Sequence, residues 1–228
     1  MSGMRERTQS ILEASVREFI KTGKPITSEI LYEIYDFGIK PAMIRLELGD
    51  LSHEGFLYQI HPSGGRYPTD KAYRHFVDSV IEKKAKTEPK WIDEDKIDED
   101  LKGFMDDISH HLGVLSVGFD VHKNTVVDSG LCELLERIPI SAKEELLSIV
   151  SDFEAIEERL QKQKEWIINE VVCPKVFIGE SPITKSKELS VVAGRINNSE
   201  NDVIIFSIGP KRMDYERAIG IMKLLSDD

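Results

Sequence analysis

One stretch of this chain restricts the fold more than any other. Ile39 to Asp78, IKPAMIRLELGDLSHEGFLYQIHPSGGRYPTDKAYRHFVD, changes from helical to strand-like apolar spacing and back again. Lys40-Pro41 marks a helix start, because proline tolerates the first helical position, where its missing N–H has no partner to lose. Ile44, Leu48 and Leu51 recur at helical spacing, and Gly55 stands where a left-handed cap ends the helix. Phe56 to Ile60 then reads as a short strand, Pro62-Ser63-Gly64-Gly65 as a turn, and Arg66 as its tip or the returning strand. Thr69 is placed to cap a further helix that carries Lys71 and Arg74. Upstream, Ile11, Leu12, Val16, Phe19 and Ile20 predict an amphipathic helix from Met4 to Thr22, ending at Gly23. Thr27 predicts the cap of a second, with Ile30, Leu31 and Ile34 inside. Three helices, a two-stranded hairpin and a closing helix give the order of a winged helix-turn-helix, which suggests a DNA-binding unit.

At about 100° per residue, the face opposite Ile44, Leu48 and Leu51 carries Ala42, Arg45, Leu46, Gly49 and His53. This is the face that would enter a major groove. Arg45 can grip a guanine edge or a phosphate, or it can be a solvated surface arginine. Leu46 either meets a thymine methyl or is a buried contact whose helix phase is off by one residue. Gly49 costs about 1 kcal/mol against alanine inside a helix. That cost fits close approach by DNA backbone or a neighbouring helix, and fits equally a glycine with no role. Ser63-Gly64-Gly65-Arg66 lacks the spacing of a nucleotide loop and reads as a wing tip.

Charge constrains this reading. The whole chain carries a formal net charge of −11 over 228 residues. Residues 1 to 78, however, hold almost equal numbers of acidic and basic side chains, so the excess acid lies in the rest. Attraction to phosphate then rests on a local patch, for which Lys40, Arg45, Arg66, Lys71 and Arg74 are the candidates. Cys132 and Cys173 are too far apart for a finger or CxxC spacing and are expected to be free thiols. His110-His111 beside Asp106-Asp107 are adjacent on a helix and point about 100° apart, so they make a poor ion site. Asp93-Glu94-Asp95 and Asp98-Glu99-Asp100 lack the glycine and final glutamate of a calcium loop. No nucleophile motif is present, and no catalytic residue, metal or cofactor is expected. With no apolar run of membrane-spanning length and no signal pattern, a cytoplasmic protein without membrane contact is expected.

Beyond Asp78, Pro89 predicts the end of a helix and the start of a linker. Helical spacing returns from Ile97 to about His110, and Val114 to Val121 reads as a strand. From Ser141, Ile149, Phe153, Ile156, Leu160 and Ile167 form a stripe interrupted at Gln163, which predicts one amphipathic helix covering a sheet. Lys175 to Gly179, Glu188 to Arg195 and Asp202 to Ile208 read as strands, and Met213 to Leu225 as a last helix. The second part is therefore α+β.

These features together resemble the heat-inducible transcription repressor HrcA family. Phe206-Ser207-Ile208-Gly209-Pro210-Lys211-Arg212-Met213-Asp214-Tyr215 looks like that family's I-G-P-x-R-M-D-Y signature, and Val176-Phe177-Ile178-Gly179-Glu180 looks like its strand ending in I-G-E. Weaker matches run from Ile108-Ser109 to Val117 and from Ser129-Gly130-Leu131 to Leu135. The wing string H-P-S-G-G-R-Y-P-T-D-K-A-Y-R is close to the family's, with Arg66, Lys71, Tyr73 and Arg74 in place. In the recognition helix Leu46 stands where the family has asparagine, a side chain that can pair with adenine.

The resemblance implies an α+β protein with a winged helix-turn-helix domain over residues 1–80, a linker over 81–97 and a reduced GAF-like, dimerising domain over 98–228, its mixed sheet flanked by helices. It implies a homodimeric repressor of heat-shock chaperone genes on an inverted-repeat operator in double-stranded DNA, with a chaperonin as a further partner. The DNA contacts it implies are Lys40, Ala42, Arg45, Leu46, Gly49, His61, Ser63, Gly65, Arg66, Lys71, Tyr73 and Arg74. Its signature residues are Gly179, Gly209, Pro210, Arg212, Met213, Asp214 and Tyr215, which could line a pocket or dimer contact or serve packing. Two other classes remain open: a ligand- or protein-sensing regulator with altered operator recognition, and a winged helix that binds protein alone.

Overall fold

The computed structural model describes residues 4–61, 64–83, 91–92, 97, 99–138, 143–171, 174–197 and 202–226. Ser63, Pro89, Asp93 to Asp95, Asp98 and Cys173, considered above, lie outside them. The chain divides into two compact units, Met1–Ser79 and Val80–Asp228.

In the first unit, α1 (Glu6–Thr22) ends at Gly23, whose φ of 65° is left-handed and whose N–H bonds the Phe19 carbonyl. The Thr27 side chain accepts the Ile30 N–H and starts α2 (Ser28–Ile34). α3 (Pro41–His53) opens on its proline and buries Ile44, Leu48 and Leu51. β1 (Leu57–Tyr58) and β2 (Tyr67–Pro68) pair antiparallel, Leu57 opposite Pro68 and Tyr58 opposite Tyr67. α4 (Asp70–Glu82) follows. The strand expected from Phe56 to Ile60 is thus only two residues long, since Pro68 has no N–H to extend the ladder. Ile34 is also 52% exposed, not inside.

Two polar anchors join the helices. The Glu47 carboxylate, buried on α3, accepts from Arg7 at 2.8 Å and from the Thr8 hydroxyl at 2.7 Å on α1. Burial pushes the Glu47 carboxyl up, but these two hydrogen bonds and the Arg7 and Arg5 charges outweigh it and hold the group below its ordinary value. Tyr35, just after α2, donates its hydroxyl to Glu18 of α1 at 3.0 Å.

The second unit is built on a five-stranded sheet in the order β4-β3-β7-β6-β5. Its strands are β3 (Leu115–Asp120), β4 (Thr125–Ser129), β5 (Lys175–Ile178), β6 (Leu189–Asn197) and β7 (Asp202–Pro210). Every pairing among the described strands is antiparallel, which corrects the mixed sheet expected from the sequence. β4 was not anticipated. It returns from β3 through a turn in which Asn124 takes a φ of 53° and the Asp120 carboxylate accepts the Lys123 N–H at 2.8 Å.

Five helices accompany the sheet among the described residues: α5 (Leu101–Leu112), α6 (Leu131–Arg137), α7 (Lys143–Lys162), α8 (Lys164–Glu170) and α9 (Tyr215–Ser226). Strand alternation sorts the two faces of the sheet. Leu115, Val117, Phe119, Leu189, Val191, Ala193, Ile204, Phe206 and Ile208 share one core with Leu134 of α6, Ile149, Ile156 and Leu160 of α7 and Ile167 of α8. The stripe predicted from Ser141 is therefore buried as expected, though the helix breaks at Gln163 into α7 and α8. On the opposite face Gly118 lies under Met105 of α5 and Gly194 under Met222 of α9, where an added Cβ would come within 3.1 and 2.9 Å of those side chains. Glycine at these two strand positions lets both helices settle close to the sheet.

Candidate nucleic-acid interface

The outward face of α3 is the centre of the site. Ala42, Met43, Arg45 and Leu46 are all exposed, Met43 at 44% and Leu46 at 62%, which removes the buried reading of Leu46. A methyl added at Gly49 would point into open space, with no atom of a neighbouring element within 4 Å, so no neighbouring helix requires glycine there. Lys40 is exposed at the helix start, and Arg45 reaches Glu29 of α2 at 2.7 Å in a pair open to solvent.

Arg66 lies beside this face and is held. Its N–H and C=O pair with Ile26 at 2.8 Å each, and its Nε donates to Ser52 Oγ of α3 at 3.1 Å. Burial, and then the positive charge of Arg45, push the Arg66 guanidinium below its ordinary value. The two cations therefore feel one another, and no carboxylate pairs with Arg66 among the described residues. Two guanidinium groups on one side of α3, with a carboxylate on Arg45 alone, give a local positive patch on a nearly neutral unit.

Several expected contacts are placed otherwise. Tyr73 is 4% exposed and belongs to the buried stripe of α4 with Ala72, Phe76 and Val77, so it presents no surface to a ligand. Gly65 is also turned inward. A Cβ there would lie 2.6 Å from Pro25 Cβ and 3.0 Å from the Ile26 carbonyl, so glycine is needed for packing against the 25–26 segment. Lys71 is exposed, yet its ammonium donates to the Glu54 carbonyl at 2.7 Å and sits 3.9 Å from the Phe56 ring centre. It thereby satisfies the C-terminal end of α3. His61 and Arg74 are exposed.

Sequence reasoning missed Ser52 and Glu29, which orient the two arginines, and nothing local marks either residue. It also missed a cleft of mixed charge on the same unit, lined by Arg5, Glu47, His53, Lys71 and His75, in which the His75 Nε2 is buried without a hydrogen-bond partner.

The signature residues of the second unit make packing contacts and hydrogen bonds within it. Gly209 on β7 faces Val114 and Met213, both within 3.1 Å of an added Cβ. Pro210 accepts the Met213 N–H, Asp214 accepts the Arg217 N–H to cap α9, and Arg212 reaches the Arg137 carbonyl. Tyr215 is fully buried, its hydroxyl 2.7 Å from the Lys211 carbonyl and 2.8 Å from Ser190 Oγ on β6. Gly179 turns at the end of β5 with a φ of 83°. The two weaker motifs meet each other: Ser109 donates to the Val114 and Ser129 carbonyls, and Gly130 packs on Ser109 with a φ of 93°.

Residues 72–219 match the family model described as the HrcA protein C terminal domain. The chain belongs to the HrcA family. Heat-inducible transcription repressor HrcA of Caldanaerobacter subterraneus subsp. tengcongensis is 32% identical over 156 residues, covering 64% of this chain and 43% of that protein. The Leptospira biflexa repressor of the same name is 48% identical over 75 residues, 33% of this chain and 22% of its own length. The chain thus spans less than half the length of these HrcA relatives. A solved structure described as a hypothetical protein at 2.2 Å resolution is 16% identical and superposes with a TM-score of 0.77 over 99% of this chain and 98% of its own, a likeness of fold. No helix among the described residues is long and apolar enough to cross a membrane, and no group of three His, Cys, Asp or Glu among them could hold a metal ion.

Proposed function

We infer that this chain is a sequence-specific, DNA-binding transcriptional repressor acting as a homodimer on an inverted-repeat operator upstream of heat-shock chaperone genes. The first unit is read as a winged helix-turn-helix, with α3 as the helix that enters the major groove and the β1–β2 hairpin as a short wing. The second is read as a reduced GAF-like domain that pairs protomers. The observation that carries the reading is the outward face of α3, with Lys40, Arg45 and Leu46 exposed and the carboxylate-free Arg66 beside it. Membership of a family whose named members are heat-inducible repressors supports the same direction. Lys40, Arg45 and Arg66 position the helix on phosphate, and two-fold pairing matches a two-fold operator. A chaperonin would act as the partner that keeps the repressor active.

Fluorescence anisotropy with an inverted-repeat duplex and a scrambled duplex across a salt series tests this. Tighter binding to the repeat, weakened by Arg45→Ala, is the expected result. With about three phosphate cations per protomer, the logarithm of affinity should fall with the logarithm of salt at a slope near −3 per protomer. Equal binding to both duplexes without a salt slope would refute the reading.

A further inference from the structure

The outward face of α3 has an unusual centre. Taking 100° per residue, Ala42, Leu46, Gly49 and His53 fall along one line, with Arg45 on one flank and Met43 and Asp50 on the other. Until His53, no side chain on that line donates or accepts a hydrogen bond. Leu46 projects from its middle at 62% exposure, and Met43 adds a second apolar side chain at 44%. Arg45, the polar residue nearest the line, is turned towards Glu29.

On the major-groove edges of base pairs, the C5-methyl of thymine is the one large apolar group; beside it lie hydrogen-bond donors and acceptors and the small C5–H of cytosine. A leucine pressed on a guanine or adenine edge strips water from N7, O6 or N6 and returns no hydrogen bond, which is unfavourable. Pressed on a thymine, it buries a methyl against a methyl. Arg45 and Arg66 on one flank and Lys40 at the helix start complement phosphate beside such a contact.

We propose that α3 reads its site through thymine C5-methyl groups, with Leu46 as the specificity-determining residue and Ala42 and Met43 beside it. This rests on the DNA-binding reading above. The ligand is the major groove of a duplex that presents thymines to the first three turns of α3, and specificity comes from apolar contact where hydrogen-bond pairing is absent.

The test uses the full chain. A preferred duplex is recovered by repeated selection from a random library, and its thymines are then replaced by uracil, which removes the methyl and leaves base pairing intact. Wild-type protein should bind the uracil duplex about fourfold more weakly for each contacted methyl, the size expected for one buried carbon. Leu46→Ala, at an exposed position that leaves thermal unfolding unchanged, should lose most of the difference between the two duplexes. Equal wild-type binding of thymine and uracil duplexes would overturn the methyl reading while leaving DNA recognition standing. A Leu46→Ala protein that discriminates as strongly as wild type would overturn the assignment to Leu46. Failure to distinguish the selected duplex from a scrambled one would overturn the DNA-binding reading, and this inference with it.

Discussion

Asp152 of α7 holds several partners at once, and removing it has a calculable cost. Its carboxylate is 4% exposed and accepts the Lys185 N–H at 2.9 and 3.0 Å, the Ser186 N–H at 2.7 Å and Arg159 Nη1 at 2.6 Å. Arg159, 17% exposed, also donates to the Ile183 carbonyl at 2.9 Å. This one group therefore holds the segment between β5 and β6 against α7. Asp152→Ala leaves a largely buried guanidinium without its partner, which costs about 3–5 kcal/mol. The two amides add to this unless water reaches them. At roughly 2–4 °C per kcal/mol for a chain of this size, the midpoint of thermal unfolding should fall by about 10 °C. Circular dichroism melts and urea titrations of the single variants and of Asp152→Ala/Arg159→Met give the coupling. The double variant should cost less than the sum of the singles, since it no longer strands a charge, yet stay below wild type because the amides remain unpaired. An Asp152→Ala loss under about 1 kcal/mol would refute the reasoning, because an ion pair this dry cannot be removed so cheaply if the amides depend on it.

Other consequences follow from the first unit. Glu29→Gln removes a carboxylate from beside Arg45, an exposed pair, so DNA affinity should rise a few-fold at low salt with little change in melting; an unchanged affinity would show that Arg45 does not meet phosphate. Because the Glu47 carboxyl is held below its ordinary value in the folded state, its contribution to stability is complete above the unfolded value of about 4.3 and is lost as pH falls through the folded one. The stability of Glu47→Gln measured by urea from pH 7 to pH 3 should therefore lie below wild type at neutral pH and converge with it in acid. Gly49→Ala should raise stability by up to about 1 kcal/mol, since open space surrounds the added methyl, and a simultaneous loss of DNA affinity would locate the DNA backbone there. Gly65→Ala, by contrast, drives a methyl into Pro25 and should lower the melting temperature even though it lies beside the hairpin turn.

What could be read from the sequence divides along physical lines. Local signals with a single cause were legible: Thr27 caps α2, Pro41 opens α3, Gly23 closes α1, and the apolar stripes of α3 and α7 are buried. β4 was not, because Thr125 to Ser129 forms a sheet edge with no fully buried side chain, so no apolar alternation announces it. Only Asn124, ready to adopt a left-handed turn, hinted at a hairpin. Tyr73 could have been placed, since Ala72, Tyr73, Phe76, Val77 and Val80 repeat at helical spacing. Family position drew it to the DNA side, whereas periodicity puts it in the core. Gly65 and Arg66 were beyond local reasoning, because what decides them is the pairing of Arg66 with Ile26, forty residues earlier in sequence.

That pairing changes what Arg66 can do. At the tip of a mobile turn, an arginine must give up about 2 kcal/mol of side-chain freedom to hold a phosphate. Strapped to Ile26 through its backbone and to Ser52 through Nε, Arg66 has already surrendered most of that freedom on folding. It also stands within the field of Arg45, a repulsion that an arriving anion offsets. A cation held under those conditions contributes more to binding than a free surface lysine. On the proposed DNA-binding reading, the short, tethered hairpin complements an α3 whose centre is apolar: fixed charges at the margin would carry affinity, and Leu46 would carry discrimination.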